Sequence, residues 1–139
     1  MKKLSYDERD YAARLEKYIA DEAFTKQMYG ALAHRCGGSM AAALRSISAD
    51  EDRHLRAMQM EYYLLTGDSV CTEKHEHGGE FAELLRRAYS GEGGAAEEYG
   101  REAEMHGEES LRKLFLAQSA DESRHRAMIR KMLKDMLGM

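Results

Sequence analysis

The sequence predicts an all-α protein of four long helices, arranged as two matching helical hairpins. Its 139 residues include no proline and are rich in Ala, Leu, Met, Glu, Lys and Arg, a composition that favours helices. Apolar residues recur at helical spacing in four long segments. The second half of the chain repeats the first at an offset of 70 or 71 residues, so a duplicated hairpin is the simplest explanation.

The four helices are predicted in two pairs, with one long connector between the pairs. The first helix begins near Tyr6 and ends near Arg35, where two glycines follow, as is common just past a helix. Ser39 is the expected N-cap of the second helix. Residues 67–79 are polar, contain glycine and lack periodicity, which indicates a connector. The hairpins are therefore expected at about 6–66 and 80–139, with the third helix ending near residue 106 and the fourth starting near residue 109.

Composition and charge restrict the class of protein. A chain of this length is about one domain, expected here over residues 1–139. The formal net charge is −4 with both signs mixed, which argues against a nucleic-acid partner. No apolar run approaches the roughly 18 residues of a membrane span, and the N-terminus lacks the apolar core of a signal peptide. The two cysteines, Cys36 and Cys71, are too few for a disulfide framework, so we expect a cytoplasmic protein.

Two nearly identical segments carry candidate metal ligands. Each contains a Glu-x-x-His pair, Glu51 with His54 and Glu122 with His125. Residues three apart lie on one face of a helix, so each pair can aim a carboxylate and an imidazole at one point. The duplication therefore suggests a metal site with two similar halves.

Two further glutamates interrupt the apolar stripes of the other helices. Glu22 on the first helix and Glu92 on the third occupy equivalent positions of the repeat. Four carboxylates would then face a helical interior, where burial of an unpaired carboxylate is costly. Two divalent cations would offset these charges. Because the sequence around Glu92 is rich in glycine, Glu97 or Glu98 is the alternative ligand from the third helix.

This set of residues resembles the ferritin-like superfamily and, within it, the rubrerythrin-type di-iron proteins. The superfamily is the type example of a Glu from each of two helices combined with a Glu-x-x-His from each of the other two. The resemblance implies a ferritin-like four-helix bundle with a long crossover between helices two and three. It also implies the ligand roles: Glu51 and Glu122 bridge two metals, His54 and His125 bind one metal each, and Glu22 and Glu92 are terminal ligands.

The resemblance further implies an oxidoreductase of oxidative-stress defence that reduces hydrogen peroxide or dioxygen. Its cofactor would be two iron ions, with manganese as the alternative because both metals suit oxygen and imidazole ligands. Tyr29 and Tyr99 are candidates for hydrogen bonds to the ligand carboxylates. Asp50 and Asp121 are candidates for accepting a histidine ring N–H.

Two departures from the rubrerythrin pattern leave alternatives open. The extra carboxylate expected three residues after the third-helix ligand is replaced by Ala95, and a rubredoxin domain is missing. Electrons are therefore expected from a separate donor, such as a rubredoxin-like protein. The second hypothesis is an iron-binding protein with ferroxidase-type chemistry and no dedicated reductase activity. The third is a metal-free bundle in which the glutamates and histidines pair with Arg53 and Arg124.

The connector is long enough, but only just, for the topology that the resemblance implies. Parallel helices two and three would require it to cross roughly 40 Å, at about 1.5 Å per helical residue. Residues 67–79 reach roughly 43 Å when extended at about 3.3 Å per residue. A homodimer that exchanges hairpins between chains would relieve this tension. His75, Glu76 and His77 within the connector are expected in a solvated loop, with a surface metal site as the alternative.

Overall fold

The computed structural model describes residues 3–139, which form two compact units. The first unit ends at His77 and the second begins at Gly78. The predicted all-α class is confirmed, since no part of residues 3–139 lies in a β-strand. None of the helices in this range has the length and apolar character needed to cross a membrane. The helices are α1 (Tyr6–Ala33), α2 (Gly38–Thr66), α3 (Phe81–Glu104) and α4 (Glu109–Leu137).

The first unit is a hairpin of α1 and α2. A capping box starts α1: the Ser5 hydroxyl accepts the Glu8 N–H, and the Glu8 carboxylate accepts the Ser5 N–H. The packed face of the hairpin follows the helical periodicity of the sequence. Its most deeply buried apolar residues are Leu15, Ile19, Leu32, Leu44, Ile47 and Met58.

The turn between α1 and α2 differs from the prediction. α1 ends at Ala33, two residues before Arg35. α2 already includes Gly38, whose φ of +61° is in the left-handed region that favours glycine. The N-cap is Gly37, and no side chain caps the helix. The predicted Ser39 cap is therefore wrong, because the helix starts two residues earlier than predicted and Ser39 lies in its first turn.

The connector is anchored on α1. α2 stops at Gly67, which adopts the left-handed conformation typical of a helix C-terminus (φ +78°), and residues 68–79 are irregular. The Gln27 side chain on α1 then binds the connector backbone twice. Its amide donates to the Glu73 carbonyl, and its carbonyl accepts the His75 N–H, both at 2.8 Å. The connector therefore runs back along α1 in the same unit.

The two connector histidines pack beside an aromatic ring of α1. The rings of His75 and His77 lie edge-on against Phe24, with centroids 5.2 and 4.9 Å away. His75 is exposed, but His77 is only partly exposed. Burial, with the nearby His75, lowers the pKa of His77. The prediction of a wholly solvated loop is therefore wrong for His77.

The second unit is a hairpin of α3 and α4. The N-cap residues Glu80 and Glu108 make no side-chain capping bond, so α3 and α4 depend on packing more than on caps. α3 continues without a break through Gly91, Gly93 and Gly94. The main buried apolar residues of this hairpin are Leu85, Tyr99, Phe115, Ile129 and Met132.

The sequence repeat extends to individual contacts between helices. In the first hairpin, the Ser48 hydroxyl donates to the Lys26 carbonyl at 2.9 Å. In the second, the Ser119 hydroxyl donates to the Ala96 carbonyl at 2.7 Å. Each serine also faces a glycine, where an added Cβ would lie 3.8 or 3.7 Å from the hydroxyl oxygen. The same small-residue contact thus sets the approach of the two helices in both hairpins; the glycines are Gly30 and Gly100.

Candidate metal centre

The first hairpin brings three of the predicted ligands together. Glu22 on α1 lies beside Glu51 and His54 on α2, with one ligand-type atom of each within 4.8 Å of the others. His54 Nδ1 is 3.5 Å from Glu22 Oε1 and 3.9 Å from Glu51 Oε1. All three residues are at most 3% exposed. We call these residues the first triad.

The second hairpin holds an equivalent group. Glu92 on α3 lies beside Glu122 and His125 on α4, again with ligand-type atoms within 4.8 Å of one another. His125 Nδ1 is 3.6 Å from Glu92 Oε2 and 3.4 Å from Glu122 Oε1. These three residues, the second triad, are also at most 3% exposed. The structure thus brings the six predicted ligands together in two groups of three.

Local sequence accounts for the arrangement of both triads. A glutamate and a histidine three residues apart project from the same side of α2 or α4. Apolar residues precede and follow each pair on this side, Ile47 and Met58 in α2 and Phe115 and Ile129 in α4. Such surroundings leave little water to screen the carboxylates, which makes their charge expensive without a cation.

The ligand-type atoms of each triad lie at or slightly beyond the spacing of ligands that share a metal ion. The nitrogen–oxygen distances of 3.4–3.9 Å exceed the roughly 2.7–2.9 Å of a charge-assisted hydrogen bond. Two atoms bound to one cation at about 2.1 Å lie roughly 3.0–3.5 Å apart at octahedral or tetrahedral angles. Carboxylate oxygens and imidazole nitrogens are donors that suit iron and manganese. The residues present therefore fit a buried metal site.

The position of Glu92 separates it from the alternative ligands on α3. The helix stays intact through its glycines, so Glu92 keeps the inward position that the repeat predicts. Glu97 is instead exposed and pairs loosely with Arg101, at 4.0 Å. Glu98 is only partly buried and is not in either group of clustered ligand atoms. Among these candidates, Glu92 is the residue that lies beside His125.

A contact with a side chain of α4 explains why one residue near Glu92 is glycine. A Cβ at Gly93 would lie 3.2 Å from the Arg126 Nε, because the arginine crosses α3 at this point. The Arg126 guanidinium stacks over the Tyr89 ring at 4.2 Å. A Cβ at Gly91 or Gly94 would meet nothing within 4 Å. Only Gly93 therefore makes room for a neighbouring side chain.

Thr25 is a site residue that the sequence reasoning missed. Its hydroxyl donates to Glu51 Oε2 at 2.7 Å, so it holds one carboxylate of the first triad. Thr25 follows Glu22 by three residues and therefore shares its side of α1. This spacing is the feature of the sequence that could have pointed to Thr25 as a site residue. The equivalent residue in the second hairpin is Ala95, which has no hydroxyl to offer Glu122.

The predicted supporting tyrosines are buried, each seven residues after the first glutamate of a triad. Tyr29 is 0% and Tyr99 2% exposed. The Tyr99 ring stacks with Phe115, with centroids 6.2 Å apart. These contacts establish a packing role, while the hydrogen bonds to the ligand carboxylates stay a prediction.

The aspartates that precede the ligand glutamates form ion pairs with arginines on the same helix. Asp50 pairs with Arg53, and Asp121 pairs with Arg124 at 3.0 Å. The two arginine side chains are 63% and 50% exposed. This position argues against the metal-free hypothesis, in which these arginines would pair with the buried glutamates and histidines. A bond from either aspartate to a histidine ring stays a prediction.

Comparison with solved structures places the chain in a fold class. It is similar to a hypothetical protein from Pyrococcus furiosus, with a TM-score of 0.78 and 22% sequence identity. The match covers 89% of this chain and 88% of that one. At this identity the likeness shows the fold, and with the four helices it confirms the ferritin-like, all-α helical class.

Comparison with family models gives a more specific match than the fold alone. The rubrerythrin family model matches residues 83–138, which cover nearly all of α3 and α4. No curated protein matches the chain. The family match and the structural likeness together support the rubrerythrin-type, ferritin-like assignment, and the buried triads fit a carboxylate–histidine metal site of that type.

Proposed function

We propose that the two triads join in one centre for two metal ions and that the protein reduces hydrogen peroxide or dioxygen there. Glu51 and Glu122 would bridge the ions, His54 and His125 would each bind one ion, and Glu22 and Glu92 would be terminal ligands. The observation that carries this proposal is the burial of six ligand-type side chains in two matching groups. The rubrerythrin match to the second hairpin supports the assignment to oxygen chemistry.

Iron is the metal we propose, with manganese as the alternative. When bound, two ferrous ions would supply the two electrons needed to reduce peroxide or dioxygen. The protein balances the charge of the ions with four carboxylates and uses neutral imidazoles as the remaining donors. Thr25 fixes the orientation of Glu51 through its 2.7 Å hydrogen bond. The apolar residues around both triads exclude bulk water, which strengthens every electrostatic interaction in the centre.

We propose that electrons come from a separate protein, such as a rubredoxin-like donor. A rubredoxin-type iron site needs four cysteines, and this sequence has only Cys36 and Cys71. Both cysteines are free thiols, which is compatible with a reducing cytoplasm. A homodimer, with or without exchange of hairpins, is the proposed assembly.

The test is metal content and turnover in matched variants. Protein made with iron should bind two ions, and its visible spectrum should change when peroxide is added. Glu51→Ala and Glu122→Ala should each abolish binding of the pair, whereas Glu97→Ala, at an exposed glutamate, should not. Full metal content and full peroxide turnover in both ligand variants would overturn the proposal.

Ala95 favours a second candidate function, an iron-handling protein with ferroxidase-type chemistry. A ligand that moves between metal positions during reduction would need a carboxylate at position 95, where this chain has alanine. Sustained peroxide turnover with an added reductant supports the reductase. Iron oxidation without such turnover, in a closed multi-subunit shell, supports iron handling.

A further inference from the structure

The second hairpin contains a buried acid–base pair that the proposed ligand set does not use. Glu102, in the last turn of α3, is 0% exposed. Its Oε2 lies 2.7 Å from Nε2 of His106, whose side chain is 11% exposed. A completely buried carboxylate is costly and is retained where it has a partner or a function. The pair links the interior of the hairpin to its surface near the turn.

The sequence repeat shows that packing does not require these polar groups. Glu102 and His106 correspond to Leu32 and Cys36 in the first hairpin, at an offset of 70 residues. Leu32 is 0% exposed, so an apolar side chain fills the same position there. The buried Gln118 likewise corresponds to the buried Ile47, at an offset of 71. The second hairpin thus carries polar residues where its own duplicate is apolar.

These groups lead from the second triad towards the turn of the hairpin. Glu92, Tyr99, Glu102 and His106 are separated by seven, three and four residues, so they follow one side of α3. From Glu92 to Glu102 the helix rises about 15 Å. On α4, Gln118 lies one turn before the ligand Glu122.

An aromatic stack holds the outer end of this series in place. The His106 ring stacks on Phe115, with centroids 5.6 Å apart and an interplanar angle of 14°. Tyr99 stacks on Phe115 from the interior, at 6.2 Å. The stack limits rotation of the imidazole and keeps its Nε2 directed at Glu102. Such fixed geometry favours proton transfer between the two groups.

We propose that Glu102 and His106 carry protons between solvent and the metal centre, an inference that rests on the proposed two-metal site. Reduction of hydrogen peroxide to two waters takes up two electrons and two protons. The electrons come from the metal centre and its separate donor. His106 accepts a proton from water at Nδ1 and releases the proton on Nε2 to the Glu102 carboxylate. Glu102 then passes that proton inwards, along the side of α3 and α4 that carries Tyr99 and Gln118.

The test measures proton movement without turnover. Metal ligands must lose their protons, so metal binding releases protons from the buried centre. Apoprotein is mixed with Co²⁺, whose visible absorption reports binding, and a pH indicator follows the released protons. Wild type should release protons as fast as it binds Co²⁺. Glu102→Gln and Glu102→Leu should still bind two ions, but their proton release should lag by at least about tenfold.

The two substitutions separate proton transfer from a structural role. Leucine is the residue of the first hairpin, so Glu102→Leu should keep or raise the melting temperature while it slows proton release. Glu102→Asp, which can still bind a proton, should restore part of the rate, and Glu97→Gln should have no effect. His106→Asn tests the outer end of the same path at a partly exposed side chain, should the Glu102 variants fail to fold.

Each outcome separates this inference from the proposed function. Two bound ions with unchanged proton release in the Glu102 and His106 variants would overturn the inference and leave the two-metal site intact. Wild-type protein that binds no pair of Co²⁺ ions would overturn the proposed function and, with it, the proton path.

Discussion

At the scale of single residues, the two halves of the site are similar but not equal. Thr25 donates a hydrogen bond to Glu51, while Ala95 occupies the equivalent place near Glu122. A ligand held by a neighbouring hydroxyl loses orientational freedom before the metal arrives, which favours binding. Thr25 therefore preorganises the Glu51 carboxylate, a proposed metal ligand.

Removal of the Thr25 hydroxyl should weaken metal binding. We expect Thr25→Ala to reduce the affinity for Mn²⁺ by about tenfold, since loss of a group that supports a ligand typically has effects of this size. Titration calorimetry on apoprotein measures the change. Thr25→Ser keeps the hydroxyl and should bind nearly as wild type does. Equal affinities for the alanine variant and wild type would show that the bond does not preorganise Glu51.

At the scale of elements, the two hairpins share one design but are stabilised differently. Both use a serine–carbonyl bond opposite a glycine to set the distance between helices. The first adds an ion pair between its helices, Lys26 with Asp52 at 2.7 Å. The second has Ala96 and Ser123 at the equivalent positions, and its α3 carries four glycines. The second hairpin should consequently gain more from helix-favouring substitutions.

Alanine substitution of three glycines in α3 should separate the effect of helix propensity on stability from the effect of contact with a neighbouring side chain. Gly91→Ala and Gly94→Ala should each raise the free energy of unfolding by about 0.5–1 kcal/mol, because the new methyl group meets no neighbour. Gly93→Ala should gain less or lose stability, since its Cβ would press on Arg126. Urea denaturation of the three variants provides the comparison. Equal gains at all three positions would show that Arg126 yields without cost.

The Lys26–Asp52 ion pair should stabilise the first hairpin in a pH-dependent way. The hydrogen bond from Lys26 is the main cause of the lowered pKa of Asp52, whose ordinary value is 3.8. A lowered carboxyl pKa stabilises the fold above that value, and the contribution disappears as pH falls through the folded-state pKa. Asp52→Asn should therefore cost up to about 1 kcal/mol at pH 7.

Denaturation of wild type and Asp52→Asn at several pH values tests this linkage. The difference between the two proteins should shrink as the pH drops below 3.8. Ser123→Asn, at the equivalent position of the second hairpin, should show no such trend. A difference that is constant from pH 7 to pH 3 would mean that the ion pair contributes nothing measurable.

At the scale of the whole molecule, the connector contacts α1 of the first unit. Gln27 binds its backbone, and the connector histidines pack on Phe24, two residues from Glu22. The segment that leads to the second hairpin is thereby tied to the helix that carries a proposed ligand. Loosening the connector would free the region of α1 next to the first triad.

Acid should release the connector from α1. Burial lowers the pKa of His77 from its ordinary value of 6.5, so the docked connector prefers the neutral ring. Docking is therefore fully favoured above pH 6.5 and weakens as the pH falls through the lowered pKa. The His75 amide, which donates to Gln27, reports docking directly by hydrogen exchange.

The control for this prediction removes the titratable ring. Exchange of the His75 amide, corrected for its intrinsic pH dependence, should accelerate relative to other amides between pH 7 and pH 5. In His77→Phe the extra acceleration should vanish, because phenylalanine can pack on Phe24 at any pH. The same acceleration in both proteins would assign the effect to another group.

How much of the structure the sequence predicts depends on how far apart the interacting residues lie along the chain. Helix existence and the Glu-x-x-His geometry depend on residues a few positions apart, so helical period alone predicts them. Ser39 was misassigned because glycine conformation, which side-chain preferences do not reveal, decided the start of α2. Thr25 and Glu102 were missed because their roles depend on contacts that local spacing does not fix. The spacing from Glu22 indicates only the side of α1 on which Thr25 lies, and its bond to Glu51 depends on how α1 packs against α2.

The sequence by itself determined the all-α class, the duplicated hairpins and the six ligand-type residues, because the helical period and the internal repeat indicate all three. Only the tertiary structure decided that Glu92 and not Glu97 lies beside His125, that Thr25 supports Glu51, and that His77 docks on Phe24. The reason is physical. These contacts depend on the register and rotation of one helix against another, or of a loop against a helix, which are set by packing of the entire hairpin.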